Sequence, residues 1–214
     1  MKKIFVLFAI IGCSFINGYT QQSGTFKDTR DNKIYKWVEI GGHVWMAENL
    51  KHNVTGSEYY EGSMDNLNRY GKLYSWTVAQ DICPADWHLP GIKEWHSLIN
   101  GYGKIYDENG NIPYKELNKE QKKEISQRYK EAFSFFQEGG ASGFNVLYGG
   151  YFYDYKYTGL GTIAGFWSSD DNVKRGAFKS VKAYSFQFNK YMKRFNEVSV
   201  LKSGKYSVRC VKNE

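Results

Sequence analysis

The residues able to do chemistry are few, and their spacing says which chemistry they suit. The four histidines, His43, His52, His88 and His96, do not fall in a His-Glu-x-x-His or similar metal-binding pattern. His88 lies between Trp87 and Leu89, and His96 follows Trp95, so both read as packed or surface structural histidines. There is no Gly-x-Ser-x-Gly elbow and no phosphate-cradling Gly-Lys-Ser/Thr loop. The glycines of Gly159-Leu160-Gly161-Thr162-Ile163-Ala164-Gly165 precede no helical pattern, so a dinucleotide turn fails on context. Two clusters remain. Asp170-Asp171-Asn172 offers hard oxygen ligands of the kind calcium takes, although a solvated turn uses the same residues. Tyr148, Tyr151, Phe152, Tyr153, Tyr155 and Tyr157 form an aromatic run, and strand alternation would turn about half of these rings outward. Such rings can stack a glycan or a protein side chain. The candidate ligand surface is therefore Tyr148, Tyr151, Tyr153, Tyr155 and Tyr157 with Asp170, Asp171 and Asn172. No residue is assigned to catalysis, and no metal or cofactor is expected.

The cysteines are Cys13, Cys83 and Cys210, and the compartment decides their state. Lys2 and Lys3 precede an apolar run from Ile4 to Ile16, the pattern of a secretory leader. Gly18-Tyr19-Thr20 fits cleavage after residue 20. Ile10-Ile11-Gly12-Cys13 fits a lipobox, which would leave a lipidated Cys13 at the mature N-terminus. Both readings predict export: to the periplasm, the outer membrane or the medium. Either way two cysteines remain in an oxidising compartment, which predicts a Cys83–Cys210 disulfide rather than two buried thiols. Two thiols alone do not make a four-ligand zinc site. Losing Lys2 and Lys3 lowers the formal charge from +7 to +5, and the basic residues are scattered, which argues against a nucleic-acid partner. No run of 18 apolar residues suggests a transmembrane span.

The elements that must position these groups are strand-rich. With 18 Tyr, 14 Phe, 6 Trp and 22 Gly against 3 Pro, the chain reads as large rings packed against Gly-rich turns. Residues 21–33 read as a polar entry. Residues 34–40 and 43–47 flank Gly41-Gly42 as a hairpin, and 51–69 read as a surface loop. Leu73, Trp76 and Thr77 suggest a short helix over 70–80, and Trp87 to Leu89 an extended segment. Ile92, Trp95, Leu98, Ile99 and Tyr102 stripe a second helix opened by Pro90-Gly91. After a loop over 103–114, Leu117, Ile125, Tyr129, Phe133 and Phe136 stripe a third helix over 115–137. That helix either docks on the domain by its aromatic face or lies on a membrane surface. From Gly139 onward, short β-prone runs (144–148, 151–153, 165–169, 183–188 and 206–211) predict an antiparallel meander.

Six short patterns then line up in order. They are Val44-Trp45-Met46-Ala47-Glu48-Asn49-Leu50; Gly71-Lys72-Leu73-Tyr74-Ser75-Trp76; Cys83-Pro84-Ala85-Asp86-Trp87-His88-Leu89-Pro90 with Glu94-Trp95; Gly149-Gly150-Tyr151; Phe166-Trp167-Ser168-Ser169; and Ser207-Val208-Arg209-Cys210-Val211. Over about residues 24–213 the chain resembles the Fibrobacter succinogenes major paralogous domain, a family of exported bacterial domains. It departs at Gly91, where Ser or Thr usually caps the second helix, and in the charged stretch 103–138, read as an insert. The family resembles the C-type-lectin-like fold and, more distantly, formylglycine-generating enzyme domains. The resemblance implies no established activity. Lectin-type calcium chemistry needs Glu-Pro-Asn or Gln-Pro-Asp and Trp-Asn-Asp motifs, which this chain lacks, and its last proline is Pro113.

The expectation is an α+β, C-type-lectin-like single domain: antiparallel strands, two core helices and one inserted helix. Its expected role is non-catalytic binding at the cell envelope, with a glycan or a surface protein as partner. The alternative is an extracellular enzyme on a formylglycine-generating-like scaffold.

Overall fold

A computed structural model describes residues 21–172 and 180–214. The expected leader, residues 1–20, and with it the lipidation candidate Cys13, lies outside the described residues. The domain is α+β, built on two sheets. The first holds β1 (Ser23–Lys27), β2 (Ile34–Ile40), β3 (His43–Met46), β12 (Val211–Lys212) and β5 (Trp87–His88), in the order β1-β2-β3-β12-β5. The second holds β4 (Tyr74–Ser75), β6 (Gly149–Tyr153), β7 (Lys156–Leu160), β8 (Ile163–Asp171), β9 (Lys182–Asn189), β10 (Arg194–Leu201) and β11 (Lys205–Tyr206). Its order is β10-β9-β8-β6-β11-β4, with β7 paired to β6. The segment 205–212 joins the sheets: it bridges β8 at Phe166↔Ser207, then enters the first sheet beside β3.

Glycine sets the first hairpin. Gly41 and Gly42 sit at φ +62° and +80°, and a Cβ on Gly41 would lie 2.2 Å from the Ser97 carbonyl oxygen. Both the turn and the close approach to the neighbouring helix therefore exclude a side chain there. That helix, α3 (Ile92–Asn100), buries Trp95, Leu98 and Ile99 as its stripe predicts. Trp95 stacks parallel on Phe186 (5.2 Å, 3°) and meets Trp45, Phe144 and Phe166 in one aromatic cluster. The helix α4 (Lys119–Phe136) forms within the expected 115–137 and buries Phe133 and Phe136 near Phe188. Its Tyr129 ring stacks on Phe195 of β10 at 4.1 Å. The Tyr129 hydroxyl donates to the Phe195 carbonyl (2.5 Å) and accepts from the Phe195 N–H (2.8 Å). Since β10 ends the second sheet, this hydroxyl serves both backbone groups of an edge residue.

Several local expectations are corrected. The polar entry contains β1, whose Phe26 stacks on Trp87 at 4.3 Å. The loop 51–69 contains a 3-10 turn (Tyr60–Gly62) and α1 (Met64–Tyr70), a helix with no buried residue that is capped by Ser63. The helix expected over 70–80 shrinks to α2 (Trp76–Ala79), because Gly71 (φ +76°) ends α1 and Tyr74-Ser75 are drawn into pairing with β11. Phe144 to Tyr148 forms no strand, only a bridge from Val146 to Gln137. The late strands are not a simple meander. Gly150 of β6 pairs in parallel with Ala164 of β8, and β6 also contacts β11.

Candidate functional site

Much of the sequence's distinctive chemistry is used to hold the fold. Cys83 and Cys210 are bonded, with Cα atoms 5.9 Å apart across 127 positions. The bond ties the loop ahead of β5 to the strand that runs into β12. Asn49 and Arg209, each from one of the six motifs, are both buried. The Arg209 Nε donates to Asn49 Oδ1 (2.8 Å), and its two terminal nitrogens donate to the carbonyls of Phe144 and Asn145. The Asn49 amide donates in turn to the Tyr70 carbonyl (2.8 Å). The guanidinium lies over the rings of Phe144 (4.4 Å) and Phe166 (5.2 Å). Burial pushes its pKa down to about 9, which leaves it charged at neutral pH. Among the described residues no carboxylate bonds to it; carbonyls, an amide oxygen and π-faces compensate the charge.

The structure separates the predicted ligand surface into two places. Tyr148 is buried, and its hydroxyl donates to Gln137, which corrects its assignment to an exposed platform. Tyr151 is half-buried and stacks on Tyr206 (5.1 Å, 10°). Tyr157 is half-buried and donates to Glu58 Oε2 (2.9 Å). Tyr153 and Tyr155 are the exposed rings, at 40% and 92%. Tyr153 ends β6 and Tyr155 lies in the β6–β7 turn, where Asp154 and Tyr155 both have positive φ (49° and 58°). Such a turn suits hairpin twist but favours Asn and Gly; holding a tyrosine there costs about 1 kcal/mol. A groove of about 440 Å³ lies at this end, lined by Glu58, Phe152, Tyr153, Tyr155, Ser203 and Lys205 among others. Lys205 ion-pairs with Glu58 Oε1 and lies 5.5 Å from the Phe152 ring centre.

Asp170, Asp171 and Asn172 do not converge on one point. Asp170 Oδ2 accepts from the Ile92 N–H (2.6 Å), so it caps α3 where Gly91 has no side chain to do so. Asp171 pairs with Lys202 (2.7 Å), and the Asn172 amide donates to Ser199 Oγ (2.6 Å). Asp170 and Asp171 nevertheless line a second groove, of about 540 Å³, together with His96, Asp107, Tyr184 and Glu197. His96 is buried, stacks on Tyr106 (4.1 Å) and pairs with Glu197 Oε2 (3.3 Å). That hydrogen bond holds the Glu197 carboxyl below its usual range. Ser97, the serine lining this groove, donates its hydroxyl to the Gly41 carbonyl (2.9 Å).

Sequence reasoning missed Glu58, Glu197 and Lys205. Glu58 sits in the stretch read as surface loop, and β10, which carries Glu197, has no clean alternation to announce it. A third polar cluster was also missed. Ligand-type atoms of Asp28, Asp31 and His52 lie within 4.8 Å of one another. Each carboxylate already has a cation: Arg30 on Asp28 (2.7 Å) and Lys33 on Asp31 (2.6 Å), with His52 Nδ1 3.2 Å from Asp31. Burial alone would raise the pKa of Asp28, but hydrogen bonds from Arg30 outweigh it and hold the carboxyl below its usual range. The cluster reads as an ion-pair network. Among the described residues, no helix is long and apolar enough to cross a membrane.

A disulfide-tied α+β domain with this motif order defines a class, and comparison with known families names it. The family model of the Fibrobacter succinogenes major domain matches residues 38–212, and the chain belongs to that family. No curated protein and no solved structure matches the chain.

Proposed function

We propose that the protein is an exported, non-catalytic binding module that engages a glycan or a surface protein through its β6–β7 end. The observation that carries this reading is the exposure of Tyr153 and Tyr155 on a turn that glycine or asparagine would form at lower cost. Export is supported by the leader pattern of residues 1–20 and by the Cys83–Cys210 bond, which belongs to oxidising compartments. Lipidation at Cys13 remains the alternative form of the same proposal, and a C-type-lectin-like architecture is part of it. Contacts are aromatic and hydrogen-bonding, without a bridging metal: Asp170, Asp171 and Asn172 each bond to a different protein group. The enzyme alternative on a formylglycine-generating-like scaffold calls for a reactive thiol, and the two cysteines of the described residues are bonded to each other.

The test is an array of glycans and envelope proteins probed with the oxidised protein, with and without chelator. Binding that survives chelator and weakens about tenfold in Tyr155→Ala supports the reading. Binding that collapses with chelator and ignores Tyr153 and Tyr155 overturns it and moves attention to Asp170 and Asp171.

A further inference from the structure

The groove beside the exposed tyrosines carries information about the class of ligand. Of its three charged groups, the Glu58 carboxylate and the Lys205 ammonium cancel as an ion pair, and Asp154, exposed in the turn, leaves a single negative charge. A groove with one paired cation and one residual carboxylate has little to offer a strongly anionic ligand, and a single exposed carboxylate is a weak hold on a cation. Both paired groups keep unused capacity. The carboxylate has lone pairs beyond those facing Lys205 and Tyr157, and the ammonium has three N–H groups. Ser203, exposed on the turn before β11, adds a hydroxyl that both donates and accepts. The same turn lies beside the Tyr153 ring: a Cβ built on Gly204 would sit at ordinary contact distance, 3.5 Å, from Tyr153 Cδ2. Adjacent donors and acceptors beside exposed rings match a neutral polyol with apolar C–H faces.

We propose that the β6–β7 end is a subsite for a neutral saccharide. The C–H face of a sugar ring stacks on Tyr153 and Tyr155, and its hydroxyls are shared among Glu58, Lys205 and Ser203. This rests on the binding-module reading above and adds the ligand class and the three polar contacts.

Isothermal titration and saturation-transfer NMR of the oxidised protein provide the test. The probes are neutral hexasaccharides of β-linked glucose, mannose and xylose, together with a sulfated oligosaccharide of equal length. At least one neutral probe binds, chelator leaves its affinity unchanged, and the sulfated probe binds no tighter. Tyr155→Ala weakens binding about tenfold and Tyr155→Phe restores it. Glu58→Gln weakens it by a similar factor; if that variant melts earlier, Ser203→Ala, at an exposed position, carries the test of the polar contacts. Absence of binding to every neutral probe at millimolar concentration overturns the saccharide assignment, as does an affinity indifferent to Tyr155 and to the polar variants. If a protein ligand is then found whose affinity falls in Tyr155→Ala, the binding-module reading stands without the sugar. If no ligand responds to Tyr153 or Tyr155, both fall.

Discussion

Arg209 shows how one residue can look functional and be architectural. An arginine in a motif invites a role in anion binding, yet here it is wholly enclosed and its donors are satisfied by Asn49 and two backbone carbonyls. Removing one partner of a buried charge costs more than removing both, because the stranded group keeps its desolvation penalty. Asn49→Leu is therefore expected to destabilise the fold by about 3 kcal/mol, and Arg209→Met by a similar amount. The double variant should lose clearly less than the sum, a coupling of about 1 kcal/mol or more in urea titrations. Additive losses would show that the two motifs do not form one network. The sequence presented these residues as motifs without saying whether they faced solvent or core. Only the fold brings positions 160 apart together.

At the scale of elements, legibility followed periodicity. The stripe on α3 and the glycine pair between β2 and β3 are local signals, and both elements form where they were read. α1 has no buried residue and hence no stripe; its cap Ser63 and the stop at Gly71 define it instead. β10 is an edge strand whose burial does not alternate, and the β-prone runs read after Gly139 leave it out. The cap of α3 was half legible. Glu94 Oε2 accepts from the Gly91 N–H (2.8 Å), a local pattern, but the second cap comes from Asp170, 78 positions on. Asp170→Ala should cost about 1 kcal/mol. Gly91 has extended backbone (φ −79°, ψ 168°) that serine adopts freely. A Cβ there would crowd Asp170 Oδ2 at 3.1 Å, so Gly91→Ser should gain little by itself and recover most of the loss in the Asp170→Ala background. Thermal melts of the four proteins decide it.

For the whole molecule, the disulfide is the covalent tie. It closes 127 positions and fastens the segment that joins the two sheets to the loop before β5. By the chain-entropy model a loop of that length contributes about 4–5 kcal/mol. Cys83→Ala with Cys210→Ala should lower stability by roughly that amount without changing the circular dichroism of the folded state. The pairing was legible because the leader pattern, read as an export signal, sets Cys13 apart and leaves two cysteines. The sheet order was not, since strands of two residues, such as β4, β5, β11 and β12, carry no pattern. The reading of 103–138 as an insert stands as a proposal, and Phe136 sets its terms: it is wholly buried within reach of Phe144 and Phe188. Phe136→Ala should cost about 3–5 kcal/mol. A chain with 104–138 replaced by a short linker must melt cooperatively and keep its disulfide for the insert reading to hold.

The hydroxyl of Tyr129 has a consequence for how copies of the protein meet. An eight-residue outer strand such as β10 is a template on which another chain can align, and proteins that stay dispersed at high concentration must deny that template. Here part of that denial comes from one phenol oxygen, which occupies both the donor and the acceptor of Phe195. Tyr129→Phe keeps the ring stacked on Phe195 and removes only that oxygen, so the monomer should fold as before. What changes is colloidal behaviour: sedimentation velocity at rising concentration should show dimers and larger species that the parent protein does not form. Where many copies are crowded together, one oxygen atom would then help separate a dispersed population from an associating one.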